Sequence, residues 1–158
     1  MEVVYSKATI ADIPEIYDLI NEYAKKNIML GRSLQYLYEN IRSFWVAKEI
    51  DKKTKNCHIL GLCGFGVSQK NLAEVKSLAV HQDYKKFGIA TNLLQQGFAE
   101  LRNLGVTEVF CLSYVPDFFI KHDFKIIDKE ELPHKIWTEC IHCPSFPKCD
   151  ETALIKEL

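Results

Sequence analysis

No stretch of this sequence is apolar over the roughly 20 residues that a membrane-spanning helix needs. No charge of either sign dominates: 20 Lys and Arg stand against 21 Asp and Glu, for a net charge of −1. That balance leaves no basic footprint for nucleic acid. The first residues, Met1-Glu2-Val3-Val4-Tyr5-Ser6-Lys7, lack the basic region and apolar core of a secretory signal, so a cytoplasmic location is expected. No repeat and no linker breaks the 158 residues. That length suits one domain over 1–158 with one core. A second Cys-x-x-Cys pair is also missing, and a zinc site usually has two.

Six cysteines are present, in two groups. Cys57, Cys63 and Cys111 are scattered, and the last two lie in apolar, strand-like runs. There a reduced thiol acts as a small hydrophobe. Cys140, Cys143 and Cys149 cluster near His134 and His142. They are the weak metal candidates: three or four ligands for zinc or an iron–sulfur cluster, against an ordered tail with unliganded thiols. The second reading is favoured, so no metal is expected.

Periodicity sets out the elements. Val3–Ala8 alternates as a strand. Asp12-Ile13-Pro14-Glu15 reads as a helix start, with Asp12 as cap and Glu15 closing a capping box. Ile13, Ile16, Tyr17, Ile20, Tyr23 and Ala24 then form one apolar stripe. Ser33 can cap a second helix through about Ile41, with Leu34, Leu37, Tyr38 and Ile41 on one face. Strands follow at Phe44–Glu49, His58–Ser68 and Leu72–Val80, the first two joined by the charged loop Asp51–Asn56. A long helix runs from about Gly88 to Leu104, closed by Gly105. Glu108–Leu112 reads as a strand, Pro116–His122 as a short helix and Phe124–Asp128 as a strand. From Glu130 the pattern fails, leaving 130–158 as a cysteine-containing tail packed on the domain. The order βααβββαβαβ gives a mixed α/β sheet.

The most informative stretch is Leu78-Ala79-Val80-His81-Gln82-Asp83-Tyr84-Lys85-Lys86-Phe87-Gly88-Ile89-Ala90-Thr91. A strand, a polar turn and a small-residue helix start follow one another. Gly88 and Ala90 keep side chains off the backbone where the helix begins. A helix N-terminus has unpaired N–H groups and about half a positive charge, which can hold a phosphate. Lys85 and Lys86 add charge beside it. An ordinary strand-to-helix turn would have the same composition.

Lys85-Lys86-Phe87-Gly88-Ile89-Ala90 resembles the pyrophosphate loop of the GNAT superfamily, the acetyl-CoA-dependent N-acetyltransferases, whose pattern is Arg/Gln-x-x-Gly-x-Gly/Ala. Lysine replaces the usual first residue. The strand before the loop and the helix after it match in order and spacing. Pro116-Asp117-Phe118-Phe119-Ile120-Lys121-His122-Asp123-Phe124 is similar to the helix that ends in Gly-Phe in that family. Asp123 stands where glycine is usual, and Asp tolerates the positive φ of such a turn better than most residues. A narrower likeness links Asn27–Ser33, Ala73–Val80 and the tail from Leu132 to short forms of bacterial N-acetylglutamate synthase.

The resemblance implies the α/β (α+β) acyl-CoA N-acyltransferase fold, a mixed, mostly antiparallel sheet flanked by helices, over roughly Val3 to Asp128. It implies acetyl transfer from acetyl-CoA, as co-substrate, to the α-amine of an amino acid, with L-glutamate and arginine biosynthesis the narrow expectation. Attack would be direct, in a ternary complex. Leu78, Ala79, Val80, Lys85, Lys86, Phe87, Gly88, Ile89, Ala90, Thr91 and Asn92 would bind the cofactor. Leu78 and Val80 would pair with the pantetheine amides as an added strand would. Glu74 is the candidate base, against a solvent-facing Glu or one paired with Lys76. Tyr114 is the candidate acid, against a packing tyrosine. Arg32, Lys76 and Ser77 are the candidate acceptor residues, with Arg42 a weaker one. The expected partner is a small amino acid, with no nucleic acid or membrane and with a homodimer left open. Two rivals remain: an acetyltransferase for another small amine or a protein N-terminus, and a non-catalytic acyl-CoA or metal sensor.

Overall fold

A computed structural model describes residues 2–132 and 151–158. Among the described residues seven strands form one sheet in the order β1-β2-β3-β4-β5-β7-β6. The strands are β1 (Val3–Lys7), β2 (Phe44–Ile50), β3 (Cys57–Gln69), β4 (Leu72–Val80), β5 (Glu108–Ser113), β6 (Lys125–Ile127) and β7 (Thr152–Glu157). The helices are α1 (Ile13–Lys25), α2 (Leu34–Glu39), α3 (Ile89–Asn103) and α4 (Pro116–Ile120). Every neighbouring pair is antiparallel except β4 with β5.

Local chemistry explains the helix ends, with two corrections. Asp12 does not cap α1. Its carboxylate turns back to accept from the Thr9 N–H at 2.7 Å and pairs with Lys48 at 2.8 Å. Glu15 closes no capping box; its carboxylate accepts the Ile59 N–H of β3 at 2.9 Å. Ser33 does cap α2, accepting the Tyr36 N–H at 3.1 Å. Of the face expected on α2, only Leu37 is buried, while Leu34 and Tyr38 lie exposed. Asp123 takes φ 68° as the turn requires.

The fold does not stop near Asp128. Thr152–Glu157 is a strand inside the sheet, paired with β5 on one side and β6 on the other. That part of the tail is therefore integral to the sheet. Cys140, Cys143, Cys149, His134 and His142 lie outside the described residues.

Apolar side chains divide by face. On one face α3 packs through Leu93, Leu94, Phe98 and Leu101 on Leu60, Cys63, Phe65, Val75 and Cys111. On the other, α1 and α2 cover Phe44, Val46, Leu62 and Ala79. Farther along that second face, Leu132 closes over Leu72, Phe110 and Ala153. Among the described residues no apolar cluster covers the gap on the sheet face between these last two, where the polar residues of β4 lie.

Candidate active site

A bulge in β4 builds the gap. Gly64 of β3 faces Ser77, but its neighbour Phe65 faces Val75. Lys76 is therefore the extra residue, and the strand reverses faces around it. A bulge also increases local twist. β4 and β5 pair only at Leu72↔Glu108, Ala73↔Val109 and Glu74↔Phe110. Beyond those pairs β4 continues with β3, and β5 with β7. The two central strands splay into a cleft whose closed end is Glu74.

The bulge sets the side chains. A Cβ on Gly64 would stand 2.9 Å from the Phe44 ring, on the face under α1 and α2. Gly66, two residues on, points to the same face, and the Lys76 side chain crosses it. Glu74 lies opposite Gly66. Ser77 is on that face with Ala79, buried, and its Oγ has no hydrogen-bond partner among the described residues. Glu74, Lys76 and Ser77 therefore converge beside the splay. A straight strand would have turned Ser77 away from the other two.

The backbone of β4 is aligned for a ligand strand. The His81 N–H donates to the Leu60 carbonyl of β3. By alternation the N–H and C=O groups of Leu78 and Val80 point the other way, into the cleft. The Val80 carbonyl accepts the Tyr23 hydroxyl of α1 at 2.6 Å. Burial, with the Glu22 charge, holds that hydroxyl above the usual tyrosine range, so it remains a donor.

Past the strand, a short 3-10 turn over Gln82–Phe87 leads to Gly88, with φ 71° and ψ 17°. Gly88 is the N-cap of α3, and no side chain caps it. A Cβ there would meet nothing within 4 Å among the described residues, which leave the approach to the helix end open. Ile89 is buried, leaving only its backbone for a ligand. Lys85 and Lys86 are exposed, and Lys85 Nζ stands 5.0 Å from the Tyr23 ring centroid. Asn92 turns toward β1 and donates to the Tyr5 hydroxyl at 3.2 Å.

Arg32 belongs to the connection between α1 and α2. Its guanidinium stacks 4.4 Å over the Tyr36 ring, and its buried Nε has no hydrogen-bond partner among the described residues. Asn21 holds this connection, donating from Nδ2 to the carbonyls of Tyr17 and Arg32. Gly31 lies directly on the Asn21 side chain. Met29 and Tyr36 pack with α1 over the face that carries Ser77. Tyr114 sits in the bend after β5 and is about one-third exposed (36%).

Cys63 and Cys111 are buried on the α3 face. Burial pushes both thiols up, and the charges of Glu74 and Glu151 push Cys111 further. They stay protonated and poorly nucleophilic. Among the described residues no group of three or more His, Cys, Asp and Glu is gathered to hold a metal ion.

The Acetyltransferase (GNAT) family matches residues 11–118. This chain belongs to that family and is an acetyltransferase. An N-acetyltransferase of Chlorobaculum tepidum, of unassigned substrate, is 38% identical over 96% of this chain and 94% of its own length. The amino-acid acetyltransferase of Mycobacterium tuberculosis is 29% identical over 86% of this chain and 76% of its own. Among solved structures, N-acetylglutamate synthase from Neisseria gonorrhoeae, complexed with coenzyme A and N-acetyl-glutamate, superposes with a TM-score of 0.87 at 23% identity. All of this chain is covered, but only 35% of that one. The GNAT fold is thus shared in full, with a mixed sheet flanked by helices.

Sequence reasoning missed Asn21, Tyr23 and the bulge at Lys76. Tyr23 and the bulge depend on partners distant in the chain, and Asn21 on the path of the loop that follows α1.

Proposed function

We propose that this protein transfers the acetyl group of acetyl-CoA to the α-amine of L-glutamate. The observation that carries the reading is the β4 bulge. It puts a carboxylate, a cation and a buried unpaired hydroxyl at the closed end of a cleft whose mouth is a helix N-terminus. The relatives named amino-acid acetyltransferase support an amino acid as acceptor.

Acetyl-CoA is the acetyl donor. Its diphosphate sits on the N–H groups of Lys86 to Thr91, and its pantetheine amides pair with Leu78 and Val80. The thioester carbon then lies near Glu74. Glu74, directly or through water, takes a proton from the substrate ammonium, and the freed amine attacks the carbonyl carbon. The C–S bond breaks, Tyr114 hands a proton to the leaving sulfur, and the second proton lost from the nitrogen returns to Tyr114 through water. Arg32 holds one substrate carboxylate with its planar fork and Lys76 the other, while Ser77 Oγ supplies a hydrogen bond. The product, N-acetylglutamate, would serve arginine biosynthesis in the cytoplasm.

Asn21 matters here only through Arg32. Asn21→Ala is expected to raise KM for the acceptor about five- to tenfold, the worth of roughly one to one and a half hydrogen bonds. Acetyl-CoA affinity should not change. An equal loss of affinity for both substrates would show that the connection serves folding and not acceptor recognition.

Thiol release from acetyl-CoA across a panel of amino acids tests the whole reading. Release with glutamate well above every other acceptor is the expected result. Release only with basic amines or peptide N-termini would reassign the substrate. No release with any acceptor would favour a sensor.

A further inference from the structure

His122 stands just beyond α4, and its two ring nitrogens are both engaged. Nδ1 lies 2.8 Å from the Phe118 carbonyl. Nε2 lies 2.9 Å from the Thr91 hydroxyl, on α3. A carbonyl oxygen can only accept, so Nδ1 carries a hydrogen. In the neutral ring Nε2 is then an acceptor, and it takes the one hydroxyl proton of Thr91. Thr91 is the third residue of α3, and its own N–H belongs to the loop proposed to hold the diphosphate. With its proton committed to His122, the hydroxyl offers only lone pairs to an arriving phosphate oxygen. That contact is repulsive.

Protonation of His122 reverses the bond. Both ring nitrogens then donate, Thr91 Oγ1 becomes the acceptor from Nε2, and its proton is released to point elsewhere. We propose that His122 is a positioning residue for the cofactor, coupling diphosphate binding at α3 to uptake of a proton, with the Thr91 hydroxyl as the relay. His122 acts through Thr91, without touching the ligand. No covalent bond changes; one proton enters from solvent to the ring as the hydroxyl rotates.

The surroundings can hold the added charge. The Phe118 ring lies 4.5 Å from the imidazole, tilted by 38°, which suits a cation over an aromatic face. The Phe118 carbonyl is a good acceptor for a charged donor. Near His122 in the chain, the charged side chains are Asp117 of α4 and Lys121 and Asp123 in the turn after it. From β7, Lys156 Nζ lies 3.8 Å from the Asp123 carboxylate. β7 also carries Glu157, with Glu151 just before it; β6 carries Lys125, and the turn before α3 carries Asp83, Lys85 and Lys86. The first turn of α3 has no acidic residue. A diphosphate on the α3 amides would bring negative charge to the Thr91–His122 pair.

The inference rests on the cofactor site proposed above, and the test separates the two. The ligand is 3′-dephospho-coenzyme A, whose diphosphate keeps its charge near neutrality. Calorimetric titration into the full-length protein, in buffers of different ionisation heat, counts the protons taken up. The wild type should show net uptake, with affinity about tenfold higher near pH 6 than near pH 8, the range over which imidazole changes charge. Thr91→Val and His122→Gln should bind with no uptake, and Thr91→Ser should restore it. Binding without uptake in the wild type overturns the relay alone, as does unchanged uptake in Thr91→Val. No binding by the wild type at any pH removes the cofactor site and the relay with it.

Discussion

Glu74→Gln is expected to lower kcat about 10²- to 10⁴-fold, the range that a positioned general base contributes. Glutamine keeps the size and hydrogen-bonding reach of the side chain but cannot accept a proton. Acetyl-CoA affinity should hold, because the proposed cofactor contacts come from the backbone of Leu78 to Thr91. The pH profile carries more weight than the size of the loss. In the wild type, kcat should fall toward acid as the carboxylate is protonated. In the variant that limb should flatten. A variant that retains the acid limb would move the base elsewhere. The position itself argues for this role: Glu74 is in the last pair before β4 and β5 diverge. It also lies close enough to Cys111 for its charge to act on that thiol.

Gly88→Val is expected to weaken acetyl-CoA binding at least about 100-fold, or roughly 2.7 kcal/mol. Two physical costs combine. A β-branched residue at φ 71° is strained. Its side chain would also fill the open space in front of α3 through which a diphosphate must reach the amides. The strain alone amounts to about 1–2 kcal/mol, so a control is needed. Gly105 supplies it, with φ 91° and equally open surroundings at the far end of α3. Gly105→Val should shift the urea midpoint comparably and leave acetyl-CoA affinity intact. Equal binding losses in both variants would mean that helix strain, and not the occupied cradle, is being measured.

These two residues also show what could be read in advance. Gly88 and the long helix that it opens were legible because a helix start and a 3.6-residue period are local signals. Asp123 was legible because few residues other than glycine tolerate its φ. Strand β4 was placed over Leu72–Val80, as observed. The facing of its residues was not, since the bulge at Lys76 shows only in the register with β3. Alternation groups Glu74 with Lys76, whereas the folded strand also brings in Ser77. The last strand was illegible for a similar reason: Thr152–Glu157 is defined by β5 and β6, both far away in sequence. Glu15 followed a capping pattern, yet the unpaired Ile59 N–H on β3 claimed its carboxylate. On α2 the periodicity marked Leu34 and Tyr38 as inward, but the helix is too short to bury both.

The central claim is that the splay between β4 and β5 holds acetyl-CoA with its thioester at Glu74. A crystal structure with glutamate and a thioether analogue of acetyl-CoA tests it directly. The account predicts the diphosphate on the amides of Lys86 to Thr91 and the pantetheine amides on Leu78 and Val80. The carbonyl carbon should lie within reach of an amine held between Arg32 and Lys76, with Glu74 joined to that amine directly or by water. An analogue bound outside the splay, or a Glu74 carboxylate with no path to the amine, would contradict it.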